Sequence, residues 1–99
     1  MDSLHTSKIK SYLNVASQLQ MGKHPLECSR NLVNLFLYLS FECEEFVKSN
    51  KRFRLVIVNK GKHLLKELES HKKLLPEELY QYTEWILNYT LEKYDYNLK

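Results

Sequence analysis

Ten consecutive residues, Leu32-Val33-Asn34-Leu35-Phe36-Leu37-Tyr38-Leu39-Ser40-Phe41, would put apolar side chains on almost every side of a helix. A helix that is apolar all round has to be enclosed by other elements. The stretch is well short of the ~20 residues that cross a bilayer, and Asn34 and Ser40 interrupt it. It therefore predicts the central element of a folded core. Pro25 suits the first position of a helix, where a missing N–H costs nothing. From there a helix is expected over residues 25–49, with Cys28, Leu32, Leu35, Phe36, Leu39, Cys43, Phe46 and Val47 as its main seam.

The partners of this helix follow from punctuation and periodicity. A first helix is expected over residues 7–21, with Ser7 as its N-cap, an inward face of Ile9, Tyr12, Leu13, Ala16 and Leu19, and Gly22 as its stop. Over residues 51–73, Phe53, Ile57, Gly61, Leu64 and Leu68 form a helical stripe, with a kink expected at Gly61. The β-branched run at 52–58 offers an α+β alternative. No second strand-like run exists to pair with it, and a lone strand leaves its backbone unsatisfied. The last helix is expected over residues 76–95, with Pro76, Glu77 and Glu78 at its positive end. Leu79, Tyr82, Ile86, Tyr89 and Thr90 are read as its inward face, with Gln81, Glu84, Asn88 and Asp95 on its wet side. Two Gly and two Pro among 99 residues argue against a turn-rich β fold. The reading is all-α: a small antiparallel four-helix bundle, one domain over residues 1–99.

Cys28 and Cys43 stand 15 residues apart, which is ~22 Å along one helix and far beyond disulfide reach. Reduced thiols, and a start (Met1 to Lys8) without an apolar leader run, point to a cytoplasmic protein. His24 and Cys28 share a ligand-like spacing but lack a third ligand. No phosphate-binding glycine loop and no nucleophile–base–orienter set is present. The expectation is no enzyme, no metal and no cofactor.

The net charge of +3 conceals segregation. Residues 48–73 carry +7 and residues 74–98 carry −4. Read as one helix, the basic block lines up Lys48, Arg52, Lys62, Lys66 and Lys73 opposite the apolar stripe. That face is either solvated and locally paired, or a patch for an acidic partner protein, nucleic acid or an anionic membrane surface. Glu42, Glu44 and Glu45 crowd the C-terminal end of the central helix, an unfavourable end for carboxylates.

One feature exceeds what a bundle needs. The last helix carries Trp85 on one flank of its inward arc and Tyr80, Leu87, Leu91 and Tyr94 on the other. Either a small bundle wraps these residues against its own termini or, since Tyr and Trp are enriched at binding hot spots, the five are the candidate contact surface for a partner protein or a second copy. The functional reading is a non-catalytic intracellular interaction module that modulates a partner protein. The alternatives are a nucleic-acid-binding regulator using residues 48–73, or a small bacteriocin-immunity-type protein. Proteins of that type are also basic four-helix bundles of this length, an analogy of fold alone.

Overall fold

A computed structural model of the chain describes residues 3–98, and the side chains of residues 6–97. It is all-α. The helices are α1 (Ser3–Gln18), α2 (Pro25–Leu37), α3 (Glu44–Ser49), α4 (Lys51–Ser70) and α5 (Glu77–Tyr94). A π-helical turn, Tyr38–Glu42, extends α2, and short 3-10 turns follow α4 (Lys72–Leu74) and α5 (Tyr96–Leu98). The 52–58 run lies inside α4 and forms no strand.

The long helices make a bundle in the cyclic order α1, α2, α5, α4. Helices α1 and α2 run antiparallel, with Tyr12 against Tyr38 at 4.5 Å between ring centroids. Helices α4 and α5 are likewise antiparallel, Lys72 lying over Tyr80 and Lys62 pairing with Asp95. The other two neighbouring pairs run in the same sense. The C-terminal ends of α2 and α5 meet where Ser40 bonds Thr90. Leu13 faces Phe53 and Val56 between α1 and α4, and Lys60 donates to the Leu19 carbonyl further along. With α2 and α4 at opposite corners, their link has to cross the end of the bundle, and the π turn with α3 is that crossing.

The expected single helix over residues 25–49 is therefore broken. Cys43, at φ −117° and ψ 19°, leaves helical geometry, and its N–H reaches back to the Tyr38 carbonyl at 3.2 Å. A π turn skips one carbonyl relative to the α pattern. The Leu39 carbonyl, which the Cys43 N–H would otherwise have satisfied, accepts the Tyr94 hydroxyl at 2.8 Å. The next carbonyl, Ser40, accepts Lys93 Nζ at 2.9 Å. Both bonds come from the end of α5, so the break is held by tertiary contacts and not by Gly or Pro. It also reverses the electrostatic reading of the acidic cluster. Glu44 and Glu45 lie in the first turn of α3, where the helix dipole favours them.

Smaller departures have local causes. Helix α1 begins at Ser3, ahead of the expected Ser7 cap, and ends at Gln18. Gly22 acts within the following turn, at φ 42°, a left-handed conformation that glycine adopts without a Cβ penalty. Gly61 sits inside an uninterrupted α4, where a Cβ would stand 3.3 Å from Leu91 Cδ2. Its role is close approach of α4 to α5. Asn50 caps α4 by accepting the Phe53 N–H at 3.2 Å.

Replacing Tyr94, whose side chain is fully buried, by Phe leaves the Leu39 carbonyl without its donor. The Tyr94→Phe chain is expected to lose ~1–3 kcal/mol of unfolding free energy, read as a lower urea midpoint at unchanged slope.

Candidate functional site

Helix α5 is rotated relative to the expected orientation. Its buried stripe is Tyr80, Thr83, Ile86, Leu87, Thr90, Leu91 and Tyr94. Four of the five expected contact residues, Tyr80, Leu87, Leu91 and Tyr94, are thus core residues, covered by α2, the π turn and α4. Tyr82, expected inside, is 48 % exposed, and Asp95, expected on the wet side, is 3 % exposed. Both stripes of α5 are apolar at helical spacing. Burying the Tyr80 stripe puts Leu91 against Gly61 and brings Tyr94 to the Leu39 carbonyl. The two threonines on this stripe satisfy their hydroxyls within the helix, Thr83 on the Leu79 carbonyl and Thr90 on the Ile86 carbonyl, each at 2.7 Å.

Trp85 alone of those five residues stands at the surface, 46 % exposed. It is the middle of a row. Tyr82 lies 5.7 Å from Trp85, Trp85 lies 5.5 Å from Tyr89, and Tyr89 stacks on Phe41 at 4.9 Å between ring centroids. Tyr82, Trp85 and Tyr89 share one face of α5 through spacings of three and four. Phe41 comes from the π turn and is itself 49 % exposed, so the backbone break that α5 stabilises also supplies the fourth ring. Sequence reading missed this row because it assigned Tyr82 and Tyr89 to the core. The signal was the pair of apolar stripes on α5, of which one had to face outward.

Lys93 closes one end of the row. Its ammonium lies 4.8 Å above the Tyr89 ring and 5.1 Å above the Phe41 ring, and it pairs with Glu44 at 3.0 Å. Burial works against its charge, but hydrogen bonding to Tyr89 and Glu44 prevails and holds it above the usual lysine pKa. Glu44 is held below the usual carboxylate range by Lys48 and then Lys93.

The basic residues do not form one helix face. Lys48 belongs to α3 and Lys73 to the turn after α4, leaving Arg52, Lys62 and Lys66 on α4. All five are exposed, and two are paired: Lys48 with Glu44 at 2.8 Å and Lys62 with the buried Asp95 at 3.0 Å. Hydrogen bonding to Lys62 holds the Asp95 carboxyl below its ordinary value. Beside it, Arg54 stacks over Tyr96 at 4.1 Å.

Cys28 and Cys43 are free and buried. Burial, and then the Glu67 carboxylate, push the Cys28 thiol up to about 11, far from a reactive thiolate. Among the described residues, no group of three or more His, Cys, Asp or Glu is placed to hold a metal ion, and no helix is long and apolar enough to cross a membrane. No family model, curated protein or solved structure matches the chain.

Leu91→Ala is expected to cost ~2–5 kcal/mol of stability, whereas Trp85→Ala should cost no more than the ~1.5 kcal/mol of an aromatic contact. Urea unfolding of the two variants checks this division of α5 into core and surface. Asp95→Asn carries a pH signature. Because folding depresses the Asp95 pKa, its contribution to stability is full above the unfolded value of about 4 and is lost as pH falls through the folded value. The stability gap between wild type and Asp95→Asn should be present at neutral pH and close under acid, as followed by urea midpoints across the acid range.

Proposed function

We propose that this protein is a non-catalytic interaction module that engages a partner protein through the aromatic row Tyr82, Trp85, Tyr89 and Phe41. One observation carries the reading: four large rings in consecutive contact, three of them about half exposed and Tyr89 half-buried between them, while another apolar stripe of the same helix fills the core. A folded chain gains nothing by leaving such a patch in water. Contiguous exposed apolar surface marks sites of association, and Tyr and Trp supply contact area at low entropic cost. The other large exposed apolar residues, Val15, Leu26, Leu55, Leu74 and Tyr96, lie on other elements.

The reading is tested by affinity capture with the wild-type chain and with Trp85→Ala/Tyr89→Ala, after circular dichroism has established that both are folded. A protein retained by wild type and lost by the double variant is the expected result, and retention should change little between about 50 and 200 mM salt. Capture that is indifferent to the row and collapses over that salt range belongs to phosphate contacts of the basic residues 48–73, and would replace this reading with nucleic-acid binding.

A further inference from the structure

On α5 the carboxylates around the aromatic row outnumber the single cation. Glu77, Glu78, Glu84 and Glu92 project from α5, and none of the four forms an ion pair among the described residues. Glu78 precedes Tyr82 by four residues and Glu92 follows Tyr89 by three, so these two carboxylates bracket the row on its own face. Lys93 is the only cation in α5. Its charge is spent on Glu44 and the Ser40 carbonyl, with 13 % of its side chain exposed. The rings add to the field, because the face of an aromatic ring attracts cations, as the seating of Lys93 over Tyr89 and Phe41 demonstrates.

We infer that the row receives a cationic amphipathic segment of a partner protein, its apolar side chains packed on Trp85 and Tyr82 and its Lys or Arg side chains directed to Glu78 and Glu92. The inference rests on the docking reading above and specifies its partner. Charge complementarity selects this occupant. A symmetric dimer through the row would set Glu78 and Glu92 against their own copies or each other, since a two-fold contact uses the same patch twice, and facing like charges oppose association. Nucleic acid would bring phosphates to the same carboxylates.

The test titrates the full chain with two synthetic amphipathic helical peptides of equal length, one of Leu and Lys and one of Leu and Glu. Trp85 is the only tryptophan, so its emission reports contact at the row, and labelled-peptide anisotropy gives affinities for variants that lack it. The Leu/Lys peptide is expected to shift Trp85 emission to the blue saturably and to bind at least about tenfold more tightly than the Leu/Glu peptide. Glu78→Lys/Glu92→Lys should abolish or invert that preference with the helical signal unchanged, and Trp85→Ala/Tyr89→Ala should weaken binding of the Leu/Lys peptide.

Equal affinity for both peptides, unaffected by the charge reversal, overturns the cationic partner and leaves the docking reading standing. No effect of either peptide on Trp85 overturns both. Leu/Lys binding that survives loss of the rings places the peptide elsewhere and overturns the inference. A concentration-dependent dimer by light scattering that Trp85→Ala dissolves assigns the row to a second copy, and overturns it as well.

Discussion

Two carbonyl oxygens in the π-helical turn that ends α2 organise this molecule. The most apolar helix stops inside the fold, and a helix end in the interior exposes backbone acceptors that water cannot reach. The Leu39 and Ser40 carbonyls take the Tyr94 hydroxyl and the Lys93 ammonium in place of N–H groups. An unsatisfied buried acceptor costs ~1–3 kcal/mol, a large share of the stability of a domain this small. Holding these carbonyls draws the end of α5 alongside the end of α2, which is why those helices run in the same sense. The chain then crosses to the opposite corner through α3, and Phe41 is set down beside Tyr89. Backbone satisfaction, topology and the composition of the surface row thus trace to one junction.

Helix α5 accordingly does two jobs on two faces. Its buried face mixes large apolar groups with Thr83 and Thr90, tolerated because their hydroxyls bond back to carbonyls one turn earlier. Ser40 completes the arrangement by sharing a hydrogen bond with Thr90 at 2.8 Å. The outer face presents rings and carboxylates. Charge elsewhere is partly consumed by folding: Lys62 reaches the buried Asp95, Lys60 holds the Leu19 carbonyl, and Glu67 accepts the Met21 N–H. The basic block of residues 48–73 is therefore in part a set of internal fasteners that tie α4 to the turn after α1 and to the C-terminal segment.

The all-round enclosure expected for Leu32 to Phe41 is not found, since Asn34 and Phe41 are exposed and α2 is one corner of the bundle. The helical class, the helical state of residues 52–58 and the start of α5 near Pro76 were legible in the chain. They depend on local periodicity, on proline and glycine placement, and on the absence of a second strand to pair with. The Cys43 break was not legible, because no glycine or proline marks it and its stabilising donors lie some fifty residues away at Lys93 and Tyr94. The candidate surface was half legible. That α5 carries more apolar residues than one buried face needs could be counted, and Trp85 was found. Which stripe turned inward could not be read from spacing, since Tyr82 and Tyr89 fit the helical period as well as Tyr80, Leu87, Leu91 and Tyr94 do.

The order of residues alone determined that this chain forms helices whose apolar faces pack on one another, because such patterning has few other ways to remove its surface from water. Only the tertiary structure decided the rotation of α5 and the break before α3. Rotation about a helix axis is settled by what the facing helices can accept, here the space Gly61 leaves for Leu91 and the carbonyls that Tyr94 and Lys93 must satisfy. Those requirements arise between segments distant in the chain, and no local pattern encodes them.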